Sequence, residues 1–300
     1  MSKTVKIPAL ILALFLVLAG CTTIQKQTFS FAMGPKGSDF YALGEGICAD
    51  LTAGISSARF NPAESGGSAD NAGLLAEGSA QIALMTADMA AAAWEKNPEL
   101  RAIAPLFKQA LHIVATGTSG IRSLFDLKAR RVSLGTEGSG TAHLAEKVVA
   151  SANLELRDIQ RQYLEPQEAF EQMKNGKLDA CFVLAAPGSV SIAELARELD
   201  IVIVPLSEEA IRALTEDDAF SDGWIPAGCY KNQDEGADSV FVDVVVVCTS
   251  DLPESVAKAM VSVFDEKAEE TLKRSGIVAD RMGEIKGVPL HEGLESKKHD

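Results

Sequence analysis

The chain has 300 residues, 47% of them hydrophobic and 23% charged, with a formal net charge of −14. That much apolar material suffices for a packed core in one large domain or two medium ones, and it excludes a chain that is disordered throughout. The acidity argues against a nucleic-acid binder, which needs clustered Lys and Arg.

Taken from the start, the first twenty residues read as a targeting segment. Lys3 and Lys6 form a short basic stretch, and 7–18 is a nearly unbroken apolar run, short for a membrane span. Leu18-Ala19-Gly20-Cys21 then resembles a bacterial lipobox, an aliphatic residue and two small ones before a Cys whose thiol takes a diacylglyceryl group. This reading makes residues 1–20 a lipoprotein signal peptide and 21–27 a tether. Cys21 becomes the lipid attachment point, with two or more chains giving stable anchoring in the bilayer. Loss of Lys3 and Lys6 takes the 28 basic side chains to 26 against 42 acidic ones, a net of −16.

Beyond the tether, strands and helices alternate. A strand is expected over 28–32, then the loop 34–38. A helix follows with Phe40, Leu43, Ile47, Leu51 and Ile55 at helical spacing. A strand at 58–63, the loop 65–68, a helix at 70–77 and a strand at 81–85 come next. Strands are expected at 100–106 and 111–116. The pattern then restarts with a short helix at 123–127, a strand at 131–134, the loop 135–140 and a helix at 141–152. Strand 159–163, helix 167–174, strand 180–184, helix 191–198 and strand 201–204 follow, then a long strand at 240–249 and a terminal helix at 253–274.

Repeated strand–loop–helix units imply an α/β fold of mostly parallel sheets flanked by helices. Two such series joined by two crossover strands suggest two lobes, residues 28–116 with 246–300 and residues 117–245. A hinge near 116–119 and 246–249 would let them close on a ligand.

The Gly/Ser loops at 34–38, 65–68 and 135–140 share one position, between a strand's C-terminal end and a helix N-terminus. Open α/β sheets bind ligands in that crevice. Backbone N–H groups and helix dipoles there favour an anion of carboxylate size. The candidate ligand-binding residues are Ser38, Tyr41, Gly67, Ser68, Asn71, Ser139, Gly140 and Thr141, with hydroxyls suited to carboxylate oxygens. No catalytic residue, metal site or cofactor is expected. Gly135 to Thr141 has phosphate-loop spacing but lacks the Lys, and no His–Glu–x–x–His pair exists. The four His lie apart at 112, 143, 291 and 299, with His112 in an apolar strand. Cys48, Cys181, Cys229 and Cys248 read as buried free thiols, though the expected compartment permits disulfides.

Several segments resemble the TAXI family of TRAP-transporter solute-binding proteins. They are Met33-Gly34-Pro35-Lys36-Gly37-Ser38-Asp39-Phe40-Tyr41, Ser65 to Asn71, Arg131 to Gly135 with Gly138 to Thr141, Ile225 to Tyr230, and Pro289-Leu290-His291. The resemblance runs in order from about residue 28 to 294. It implies a two-lobed fold of the periplasmic-binding-protein type II kind and a small organic acid, such as glutamate or another carboxylate, as ligand. It also implies a TRAP-type permease as partner; with the lipobox, the expectation is an extracytoplasmic, lipid-anchored protein, taken to be monomeric. The rival expectations are a ligand-sensing lipoprotein acting on a signalling partner, and an enzyme on the same fold.

Overall fold

The computed structural model describes residues 26–36, 38–275, 285 and 287–295. Cys21 and most of the 21–27 tether lie outside the described residues. The first series comprises β1 (Gln27–Ala32), α1 (Asp39–Gly54), β2 (Ala58–Ala63), α2 (Ser68–Ala76), β3 (Ile82–Thr86) and α3 (Ala87–Lys96). β4 (Leu100–Thr116) leads into the second series. That series is β5 (Arg131–Ser133), α4 (Gly140–Ser151), β6 (Gln160–Gln162), α5 (Pro166–Lys174), β7 (Ala180–Ala185), α6 (Val190–Glu198), β8 (Ile201–Ile203), α7 (Glu208–Leu214) and β9 (Phe220–Ile225). β10 (Ala237–Thr249) returns the chain to α8 (Glu254–Arg274), and α9 (Glu292–Glu295) follows.

The strands run in the order β2-β1-β3-β10-β4-β7-β5-β6, with β8 added on β4 and β9 on β10. β1 is parallel to β2 and β3, and β5 is parallel to β6 and β7. β4 and β10 run antiparallel to one another and to their other neighbours. The sheet is one path only because these two long strands pass through both lobes.

Each lobe buries apolar side chains on both faces of its own strands. Phe31, Leu43, Leu51, Ile82, Phe107, Val244 and Met260 pack in the first lobe, and Ala83, Met85, Val245 and Val247 fill its other face. Leu111, Ile113, Val132, Leu144, Val148, Phe182 and Val242 pack in the second, with Val114, Cys181, Val183 and Ile192 on its far face. β4 therefore changes lobe between Phe107 and Ala110, and β10 between Val242 and Val244. The boundary expected at 116 is the end of β4 and the one expected at 246 lies inside β10, whereas the side chains change partner at 107–110 and 242–244.

The two strands expected at 100–106 and 111–116 are one. The polar pair Lys108-Gln109 marks the passage between cores, where polar side chains are tolerated. α3, α7 and β9 had no counterpart in the sequence reading. α3 follows β3 directly with no loop between them, while β9 lies on β10 with Ser221, Asp222 and Gly223 interrupting its apolar pattern. The four described cysteines are free. Burial pushes the thiols of Cys48 and Cys181 up to about 12 and raises that of Cys248 as well.

Candidate functional site

Where the lobes face each other, a cleft holds about 700 Å³ of empty space, its open mouth included. The cleft is built mainly from the ends of helices. α1 starts at Ser38, whose Oγ accepts from the Tyr41 amide and donates to the Pro35 carbonyl. α4 starts at Ser139, whose Oγ accepts from the Ala142 amide. α2 starts at Gly67, which has φ of 107° and no side chain to cap the helix. First-turn amides have no partner within their own helix, and the positive end of the helix dipole lies beside them. Three such ends, two from the first lobe and one from the second, border one cavity. Thr86 at the start of α3 and Pro166 in the first turn of α5 also line it.

Close approach explains two glycines. A Cβ on Gly140 would lie 2.7 Å from Thr86 Oγ1, and one on Gly67 would lie 3.4 Å from Ser139 Cβ. Both contacts cross between lobes. So does the hydrogen bond from the Ala69 amide to the Gly138 carbonyl, 3.2 Å. The lobes thus meet directly at the rim. His143 on α4 also reaches across, placing Nε2 4.0 Å from the buried Asp88 of α3. Burial raises the Asp88 carboxyl above its ordinary range. Thr86, the Met89 amide and His143 favour the charged form beside it, but neither carboxylate oxygen has a hydrogen-bond partner among the described residues.

Six of the eight expected ligand residues line the cleft: Ser38, Gly67, Ser68, Ser139, Gly140 and Thr141. Their hydroxyls are partly committed already. Ser68 Oγ accepts from the Thr86 amide, and Thr141 Oγ1 accepts from the Leu184 amide at 3.4 Å. Tyr41 and Asn71 do not line it. One residue along a helix is a rotation of about 100°; both Phe40 and Tyr41 pack on the first-lobe core, but of the two Phe40 alone also lines the cleft. Asn71 is fully buried and its Nδ2 donates to the carbonyls of Met33 and Leu84, tying α2 to the ends of β1 and β3.

Sequence reasoning missed Phe40, Thr86, Gln109, Phe182 and Ser191. Gln109 could have been flagged as a polar residue in an apolar strand. Phe182 could not, because nothing local distinguishes it from core.

His112 is structural. It is fully buried, and burial lowers its pKa to about 4, which keeps the ring neutral. Nδ1 lies 3.0 Å from the Ala110 carbonyl and Nε2 2.8 Å from the Tyr230 hydroxyl, which in turn accepts from the Gly188 amide. A neutral ring protonated at Nδ1 satisfies that chain.

The architecture has known counterparts. The chain is similar to the periplasmic aliphatic sulphonate binding protein SsuA from Escherichia coli, with 15% identity, 84% of this chain and 70% of that chain covered, and a TM-score of 0.54. It is similar to the alkanesulfonate-binding protein SsuA from Xanthomonas axonopodis pv. citri bound to MOPS, with 15% identity, coverage of 85% and 81%, and a TM-score of 0.52. A putative L-cystine ABC transporter protein from Listeria monocytogenes matches at 11% identity, coverage of 83% and 95%, and a TM-score of 0.54. At these identities the likeness establishes the two-lobed periplasmic-binding-protein fold. The NMT1-like family model matches residues 31–295, nearly the whole chain, and the chain belongs to the NMT1-like family.

Proposed function

We propose that this protein is an extracytoplasmic solute receptor that captures a small organic acid between its lobes. The observation that carries the reading is the convergence of the α1, α2 and α4 N-termini, from both lobes, on one cleft. Local donors outweigh the net negative charge. The surface field is screened over about 8 Å at physiological salt, while each charge-assisted hydrogen bond contributes about 1.5–3 kcal/mol at contact. Among the described lining residues no His or Cys stands beside a hydroxyl, so the cleft offers capture without an evident nucleophile–base pair.

Delivery to a TRAP-type permease is the further part of this reading, supported by the segments that resemble the TAXI family. Membrane attachment through Cys21 is supported by Leu18-Ala19-Gly20-Cys21 behind the apolar run. Calorimetric titration of small carboxylates against their amides tests the receptor reading. The acid should bind at least about tenfold more tightly, and Ser68→Ala or Ser139→Ala should weaken it without unfolding the protein. Equal affinities for acid and amide would overturn it.

A further inference from the structure

The receptor reading leaves the chemistry of the ligand's remaining groups open, and the cleft wall speaks to it. Among the described residues that line the cleft there is no Asp, Glu, Lys, Arg or His. The nearby buried carboxylate, Asp88, is not among them and faces His143 instead. An anionic head meets helix N-termini there. An ammonium group would meet the same positive helix ends and no carboxylate among the described lining residues. Burying an ion without a partner is strongly unfavourable, so a zwitterionic amino acid is poorly matched.

The floor offers a neutral pair of donors and acceptors. Strand alternation puts Phe107, Gln109 and Leu111 on one face of β4. Phe107 belongs to the first-lobe core and Leu111 to the second, and Gln109 lies between them on the cleft. It is 2% exposed, and its side-chain amide makes no hydrogen bond among the described residues. Thr86, beside Asp88, also lines the cleft. The amide of Gln109 opens on the cleft with no partner there among the described residues, so a ligand group that enters the cavity can complete it. An amide both donates and accepts, which fits a hydroxyl or a carbonyl. Phe40, Phe182 and Leu184 supply apolar wall for a carbon chain or ring.

Resting on the receptor reading, we infer that the ligand is a hydroxy or oxo acid without an ammonium group, and that Gln109 is the specificity-determining residue that reads its neutral polar group. The test is calorimetric titration of the folded protein with three matched series. They are lactate, pyruvate and alanine; 2-hydroxyisocaproate, 2-oxoisocaproate and leucine; and phenyllactate, phenylpyruvate and phenylalanine. 3-Phenylpropionate and phenyllactamide serve as controls. In the series that fits the cleft, the hydroxy or oxo acid should bind at least about tenfold more tightly than the amino acid. Gln109→Met, which keeps volume and flexibility, should erase the advantage of phenyllactate over 3-phenylpropionate while leaving the latter's affinity unchanged. Gln109→Glu should move the preference toward the amino acid, with circular dichroism and Tm confirming a folded protein in each case. An amino acid that binds as tightly as its hydroxy and oxo counterparts, while phenyllactate still exceeds phenyllactamide, overturns this inference and leaves the receptor reading standing. Equal binding of phenyllactate and phenyllactamide, or silence from every acid in all three series, overturns both.

Discussion

His112 shows how one buried residue sets a pH dependence. Its folded pKa is about 4 against an ordinary 6.5, because burial disfavours the imidazolium. A depressed pKa contributes stability that is fully present above 6.5. The contribution is lost as pH falls toward 4, because the unfolded chain takes up the proton first. Over that window the loss amounts to roughly 3 kcal/mol. Urea midpoints measured from pH 7 to pH 4.5 should therefore fall more steeply for the wild type than for His112→Asn. Tyr230→Phe removes the hydroxyl that links His112 Nε2 to the Gly188 amide, and it should cost about 1–3 kcal/mol at pH 7. A Tyr230→Phe protein as stable as the wild type would show that this chain of hydrogen bonds is incidental.

At the scale of elements, helix starts are held in place by buried polar ties more than by the loops themselves. Asn71 in α2 donates to the carbonyl of Met33, just beyond β1, and to that of Leu84 in β3. Ser133 Oγ, fully buried, accepts from the amides of Gly135 and Leu164 and so shapes the loop before α4. Asn71→Ala leaves two buried carbonyls short of a donor and should lower stability by about 1–3 kcal/mol. At saturating protein stability its ligand affinity should change less than that of Ser68→Ala. Loss of binding with an unchanged Tm would instead make Asn71 a ligand contact. The crossing strands carry a second lesson. Their pairing shifts register between Val244 and Val245, opposite Phe107 and Pro105, close to where the side chains change lobe. Irregular pairing bends a strand locally, which places the expected bending point nearer Gln109 and Asp243 than the strand ends.

For the whole molecule, parting of the lobes is the expected route into the cleft. They touch through the Ala69 amide and Gly138 carbonyl, and a Cβ on Gly138 would lie 3.5 Å from that of Ala69. That spacing fits a disulfide. Ala69→Cys combined with Gly138→Cys should lock the lobes when oxidised, despite some strain at Gly138, whose φ is 73°. The association rate of a binding acid should fall by about tenfold or more in the oxidised form and recover on reduction. Equal rates in the two forms, with the crosslink verified by mass, would show that ligand enters without lobe opening.

The sequence by itself determined the alternation of strands and helices, and with it the fold class, because the apolar periods of 2 and 3.6 are local. It also located the three loops, since Gly and Ser before a helix are read from neighbours in the chain. It placed Ser38, Gly67, Ser68, Ser139, Gly140 and Thr141 together in expectation, and these six line one cleft. Only the tertiary structure decided which aromatic lines the cleft, because Phe40 and Tyr41 differ by a single helical step whose phase is set by packing on β2 and α8. It alone decided that Asn71 ties strands, that β4 is continuous through both lobes, and that Gln109 and Phe182 reach the cleft floor. Those outcomes depend on where two distant segments meet, and no local pattern in the chain records that meeting.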